Sequence, residues 1–218
     1  MESWPSLIAM FFSQAEKYDE KPFLWGKKND AYQALSWRKA AEMVSSMALG
    51  LRDLGISNGE TVVLCSENRP EWPIFHLAVM AAGGITVPAY TTNTVNDHLH
   101  ILENSGAKGA FVSTRQLSEN LINAARQTDG INFLISIDEL DISQASGPDI
   151  LRWDDLVAKH VEKPVVATDW TVGVNLDSTA VVIYTSGTGG APKGVMLSHK
   201  AILHNCQGAY DVIQELGL

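Results

Sequence analysis

The stretch AVVIYTSGTGGAPKGVML, residues 180–197, places two short apolar runs on either side of a loop rich in glycine and hydroxyl groups. The runs, 180–184 and 195–197, predict two strands. The loop between them, residues 184–194, contains four glycines together with Thr185, Ser186, Thr188 and Lys193. Glycines let the backbone approach a ligand closely, successive N–H groups form a concave anion site, and a lysine adds a mobile positive charge. The stretch therefore predicts a phosphate-binding loop between two strands.

Two common phosphate motifs do not describe this loop. A Walker A motif needs a hydroxyl residue after its lysine, whereas Gly194 follows Lys193. A dinucleotide-binding motif needs a third glycine where this chain has Pro192, and it opens a helix rather than a strand. Composition alone leaves one alternative, a glycine hairpin that binds no ligand.

The chain before the loop alternates predicted strands with predicted helices. Continuous runs such as Thr61–Cys65 are typical of strands buried on both faces, and apolar steps of three and four residues mark the helices. The predicted strands are 61–65, 85–90, 109–113 and 132–137, and the predicted helices are 6–18, 37–54, 70–82, 94–105, 116–127 and 199–214. Residues 22–25 and 31–35 predict a hairpin. The order implies an α/β fold with a doubly wound, mainly parallel sheet flanked by helices.

Residues 138–177 interrupt this alternation. They are polar, they contain Gly147-Pro148 and Pro164, and they include one short predicted helix at 154–160. We interpret the segment as a long connection rather than a separate domain, so that 1–218 forms a single unit.

Composition excludes several classes of protein. A net charge of −9 and a pI near 5.0 argue against a nucleic-acid binder, which needs a basic face. Cys65 and Cys206 have neither zinc-site nor disulfide-framework spacing, so we expect two buried thiols in a reducing compartment. The first residues lack the basic region of a signal peptide, and the apolar tract 74–90 contains His76 and Pro88, unlike a membrane span. These features predict a cytoplasmic protein and leave peripheral contact with a membrane open.

Catalytic motifs of other enzyme classes are also missing from the sequence. There is no Gly-x-Ser-x-Gly elbow of a hydrolase. His98 and His100 lie two apart on a predicted helix and point to different faces, so they cannot chelate one metal ion. We therefore expect no histidine metal site.

The order of residues in the loop resembles the signature of the adenylate-forming enzymes, which include acyl-CoA ligases, luciferases and peptide-synthetase adenylation domains. That signature reads Tyr-Thr-Ser-Gly-Thr-Thr-Gly-x-Pro-Lys-Gly. The matching positions are Thr185, Ser186, Gly187, Thr188, Gly190, Pro192, Lys193 and Gly194. The chain departs from the pattern at Gly189, where the family has a second threonine, so one hydroxyl group is lost.

Two further stretches are similar to bacterial long-chain fatty-acid–CoA ligases: 66–72 with 81–90, and 104–108. We interpret their role as architectural, because Pro70 starts a helix and Gly83-Gly84 turns the chain into a strand. The resemblance runs from about Ser6 onward. It implies the N-terminal fragment of a large AMP-binding domain, with the small C-terminal domain and its catalytic lysine absent.

The resemblance implies a two-step reaction. The carboxylate of a long-chain fatty acid attacks the α-phosphate of ATP to give an acyl-adenylate, and the thiol of CoA then displaces AMP to form the thioester. It assigns the triphosphate of ATP to Thr185, Ser186, Gly187, Thr188, Gly189, Gly190 and Lys193, and it places Mg²⁺ near Thr188. No catalytic residue is expected within the fragment, and the isolated chain is expected to be inactive. An amino-acid or aryl-acid adenylating enzyme, and a non-catalytic nucleotide-binding module, stay open as alternatives.

Overall fold

The computed structural model describes residues 4–140, 147–160, 173–186 and 191–217. The elements of these residues are, in chain order, α1 Leu7–Tyr18, β1 Pro22–Lys28, β2 Ala31–Ser36, α2 Trp37–Asp53, β3 Thr61–Cys65, α3 Glu71–Ala82, β4 Ile85–Ala89, α4 Val95–Ser105, β5 Gly109–Val112, α5 Arg115–Ala125, β6 Phe133–Ser136, β7 Asp149–Arg152, α6 Trp153–Lys159, β8 Thr179–Thr185, β9 Lys193–Ser198 and α7 His199–Glu215.

Strands β3 to β9 form one sheet in the order β7-β6-β5-β3-β4-β8-β9. Neighbours from β7 to β8 pair in parallel, whereas β9 runs antiparallel to β8. The sheet is therefore mainly parallel, as predicted. Strands β1 and β2 pair separately as the predicted hairpin.

Each face of the sheet is covered by helices over its own hydrophobic core. Along β3, Val62 and Leu64 belong to one core with α1, α2, α3 and α6. Val63 and Cys65 belong to the other core with α4 and α5. Successive side chains of a strand point to opposite faces, so a strand buried on both sides must be apolar at every position. The continuous apolar strands thus predicted the observed doubly wound fold correctly.

Polar residues fix the starts of the helices. The side chains of Ser6, Ser36 and Ser198 accept hydrogen bonds from backbone N–H groups in the first turns of α1, α2 and α7. Thr94 and Asp97 form the predicted capping box at α4. Each such cap contributes about 1 kcal/mol by satisfying N–H groups that the helix itself leaves unpaired.

Three local expectations needed correction. A strand, β7, lies inside the segment interpreted as a long connection, where it pairs with β6 at the sheet edge. The hairpin turn is tighter than expected, because β1 continues to Lys28 and only Asn29 and Asp30 turn the chain, both with positive φ. Cys206 is exposed, whereas Cys65 is buried as expected.

The Cys65 thiol is a packing group in this fold. Burial, assisted by the negative charge of Glu67, raises its pKa to about 12. The thiol therefore stays protonated at neutral pH and is unreactive.

Among the described residues, no helix combines the length and the apolar character needed to cross a bilayer.

Candidate phosphate-binding site

The 184–194 loop leaves the sheet at the carboxyl end of β8. Strand β8 is parallel to β4, so this end lies at the same edge as the carboxyl ends of β3, β4 and β5. Ligands of open α/β sheets bind at that edge. The chain returns as β9 antiparallel to β8, so the loop joins two strands, as its sequence predicted.

The structure brings two of the predicted phosphate-binding residues together. Thr185 ends β8 and Lys193 begins β9, and the two are direct cross-strand partners. Both are exposed, as is Ser186, which follows Thr185. Within the described residues, no carboxylate forms an ion pair with Lys193. The other predicted residues, Gly187, Thr188, Gly189 and Gly190, lie outside the described residues.

Helix α4 contacts both ends of this loop. His100 Nε2 lies 2.8 Å from the carbonyl oxygen of Pro192. The His100 ring packs edge-on against the Tyr184 ring, with centroids 5.9 Å apart and planes at 86°. The Tyr184 hydroxyl donates a hydrogen bond of 2.7 Å to Asn104 Oδ1. Burial raises the pKa of Tyr184, which keeps its hydroxyl protonated for this bond.

The sequence did not identify His100 and Asn104 as residues of the site. Their spacing of four carried a usable signal, since residues i and i+4 lie on one face of a helix. The sequence could not show what this face contacts, because Tyr184 lies 80 residues from Asn104 and Pro192 lies 92 residues from His100 in the chain.

Gly194, the last residue of the motif, has a packing role. It pairs with Tyr184 across β8 and β9. A Cβ at this position would lie 2.7 Å from Val182 Cγ1 and 3.3 Å from Tyr184 Cζ. The missing side chain therefore leaves room for the Tyr184 ring, which also packs edge-on against His100.

A second concave region lies at the same edge, between the β1–β2 hairpin and the start of α3. It encloses about 960 Å³ and is lined by residues that include Trp25, Lys27, Glu67 and Thr114. Glu67, after β3, accepts a hydrogen bond from Ser113, after β5. Arg69 binds Glu71 at 2.8 Å, immediately before and after Pro70. These contacts agree with the architectural role expected for residues 66–72.

The described residues offer oxygen atoms beside the loop but no preformed cluster of metal ligands. They contain no group of three or more His, Cys, Asp or Glu side chains able to hold a metal ion. Mg²⁺ bound with phosphates takes oxygen ligands mainly from the phosphates and from water, with few from the protein. The exposed hydroxyls of Thr185 and Ser186 offer oxygen atoms of the required kind.

The fold and this loop define an α/β protein of the adenylate-forming type. A family profile described as "AMP-binding enzyme" matches residues 11–217. The chain therefore belongs to the AMP-binding enzyme family, and the resemblance inferred from its loop is confirmed.

Similar curated proteins include acid–thiol ligases. The chain is 30% identical over 171 residues to long-chain-fatty-acid–CoA ligase FadD15 of Mycobacterium tuberculosis, covering 78% of this chain and 27% of that protein. It is 32% identical over 217 residues to acyl-CoA ligase azaF of Aspergillus niger, covering 94% and 38% respectively. The chain thus spans less than two-fifths of the length of either relative.

Solved structures with the same fold include a luciferase-like enzyme from the mealworm Zophobas morio, with a TM-score of 0.77 and 20% identity. That match covers 94% of this chain and 45% of the other. The anthranilate CoA ligase AuaEII in complex with anthranoyl-AMP matches with a TM-score of 0.77 and 19% identity, covering 95% and 37%. At such identities the likeness establishes the fold only.

Proposed function

We propose that the chain is the N-terminal part of an AMP-forming long-chain fatty-acid–CoA ligase and that its 184–194 loop binds the triphosphate of ATP. The observation that carries the proposal is the placement of Thr185, Ser186 and Lys193 together at the carboxyl ends of the parallel strands, where no described carboxylate forms an ion pair with Lys193. Donors and a positive charge at this edge suit a polyanion. The motif assigns Gly187, Thr188, Gly189 and Gly190 to the same phosphates.

The proposed reaction has two balanced steps. A fatty carboxylate, already ionised at neutral pH, attacks the α-phosphorus in line and releases pyrophosphate, forming acyl-AMP. The sulfur of CoA then attacks the acyl carbon, AMP leaves, and the thiol proton is released. The first step brings two anions together, so preorganised donors and charge on the β- and γ-phosphates lower its barrier. Mg²⁺ held by the phosphates near Thr188 would neutralise part of the same charge.

Two other functions compete with this one. Relatives at about 30% identity include fatty-acid–CoA ligases, which favours a fatty acid, and a neighbouring structure is a ligase for an aryl acid. An amino-acid or aryl-acid adenylating enzyme is therefore the second candidate. The third is a nucleotide-binding module without catalysis, which the departure at Gly189 favours. We further propose that the ligase is cytoplasmic and contacts the membrane surface peripherally.

The test uses the complete protein with MgATP, CoA and a panel of long-chain, aryl and amino acids. Pyrophosphate release and thioester formation that depend on a long-chain acid support the proposal. Release with only aryl or amino acids supports the second candidate, and no acid-dependent release supports the third. The 218-residue chain alone is expected to bind ATP weakly and to show no turnover, and turnover comparable to the complete protein would contradict the fragment proposal.

Lys193→Met tests the loop within that assay. Loss of a charge-assisted contact should raise the KM for ATP by about tenfold or more. Lys108→Met is the matched control. Lys108 is exposed and directly precedes β5, so it lies at the amino ends of the parallel strands, away from the loop. If the two variants have the same KM for ATP, Lys193 does not bind the phosphates.

Gly189→Thr restores the family's usual residue. If the missing hydroxyl is merely tolerated, activity should be kept or raised. A large loss would mean that the loop needs a bare backbone at this position.

A further inference from the structure

We propose that His100 is a positioning residue of the 184–194 loop, holding Lys193 in place before ATP binds. The inference rests on the proposed function of the loop, but its first test does not require activity. It starts from the contacts of α4 with both ends of the loop, at Tyr184 and at Pro192.

Lys193 lies between two fixed points of the backbone. The carbonyl of Pro192 belongs to the peptide that joins Pro192 to Lys193, and His100 holds this oxygen at 2.8 Å. On the other side of Lys193, Gly194 is paired with Tyr184, whose ring contacts His100. Proline has no N–H group, so its carbonyl is the only backbone group through which residue 192 can form a hydrogen bond.

The contact with the Pro192 carbonyl requires a hydrogen-bond donor at position 100. A carbonyl oxygen only accepts, so Nε2 of His100 carries the proton and donates it. A glutamine could make the same bond through its amide N–H, whereas a leucine of similar bulk could not. The two substitutions therefore separate the donor from the packing of the ring against Tyr184.

Asn104 assists from the same face of α4. Its side chain accepts a hydrogen bond of 2.7 Å from the Tyr184 hydroxyl, and the same Tyr184 ring packs against His100 and pairs across the strands with Gly194. Ordering the backbone around Lys193 in advance removes part of the entropy cost that ATP binding would otherwise carry. The expected consequence is tighter nucleotide binding, without a direct role in the chemical step.

The first experiment is hydrogen–deuterium exchange on the 218-residue chain without nucleotide, followed in peptides that cover residues 191–198. His100→Leu should speed exchange there by about fivefold, the effect of one lost hydrogen bond, while His100→Gln should stay near the parent rate. His204→Leu, an exposed histidine of α7, is the matched control and should change nothing in these peptides. Equal exchange in the parent and in His100→Leu overturns the proposal.

The second experiment measures steady-state kinetics of the complete protein. His100→Leu should raise the KM for ATP by about fivefold with little change in kcat, and His100→Gln should restore most of it. An unchanged KM, or a loss confined to kcat, overturns the positioning role even if exchange rises. If the parent itself shows no acid-dependent pyrophosphate release, the proposed function fails, and the exchange comparison alone decides whether His100 fixes the loop.

Discussion

His98→Leu should make the chain less sensitive to acid. His98 lies on α4 with only 2% of its surface exposed, and its Nδ1 has no hydrogen-bond partner among the described residues. Burial lowers its pKa from 6.5 to about 4, against a weaker opposing effect of Asp97. The unfolded chain therefore takes up the proton first as pH falls. The stability that depends on neutral His98 is fully present above pH 6.5, and it is lost progressively as pH falls from 6.5 to 4.

The size of the effect follows from these two pKa values. Between pH 7.5 and pH 5, preferential protonation of the unfolded state costs about 2 kcal/mol for this histidine. Leucine cannot be protonated, so the variant should lose about 2 kcal/mol less than the parent over this range. For a chain of this size, that corresponds to a difference of about 4–8 °C in the change of Tm.

The assay is urea unfolding, or thermal unfolding, of parent and variant at several pH values. His76, whose pKa burial and the nearby His199 also lower to about 4, destabilises both proteins in acid and cancels in the comparison. His204→Leu, at an exposed position of α7, is the control for replacing a histidine by leucine outside the core. Identical pH dependence of parent and His98→Leu would refute the assignment of acid sensitivity to the buried imidazole.

Four other substitutions test packing, capping and buried hydrogen bonds by urea unfolding. Gly194→Ala should destabilise by about 1–3 kcal/mol because its Cβ would meet Val182 and Tyr184, whereas Gly208→Ala, a helical position with open space, should stabilise by up to about 1 kcal/mol; equal effects would contradict the packing role of Gly194. Thr94→Ala removes the capping box of α4 and should cost about 1 kcal/mol, and no loss would mean that solvent replaces the cap. Ser46→Ala removes hydrogen bonds from α2 to the carbonyls of Leu156 and Val157 in α6 and should lower the free energy of unfolding by about 1 kcal/mol. Cleavage by protease near α6 should increase in the same variant, and unchanged cleavage would mean that these bonds do not fix α6.

Much of the fold could be predicted because its signals are local. The apolar run of β3 shows burial on both faces without reference to any partner. Capping residues such as Thr94 mark helix starts within four positions. The loop could be recognised because its motif is continuous, which placed Thr185 and Lys193 in one site before any tertiary contact was known.

Strand β7 shows where local reasoning failed. Its four residues, Asp149–Arg152, follow Gly147-Pro148 and lack a distinct apolar period. They form a strand because β6 offers an open edge to which residues 149–152 can hydrogen-bond. A short edge strand depends on its neighbour more than on its own propensity.

The amino-acid sequence alone therefore determined the α/β class, the order of most elements and the position of the glycine-rich loop between two strands, because each depends on residues close together in the chain. Only the tertiary structure showed that His100 contacts Tyr184 and Pro192, that Asn104 accepts a hydrogen bond from Tyr184, and that Gly194 makes room for the Tyr184 ring. The contacts of Asn104 with Tyr184 and of His100 with Pro192 join residues 80 and 92 positions apart, so the local sequence does not specify these partners. They form because α4 packs beside β8 and β9, which brings into contact elements that are far apart in the chain.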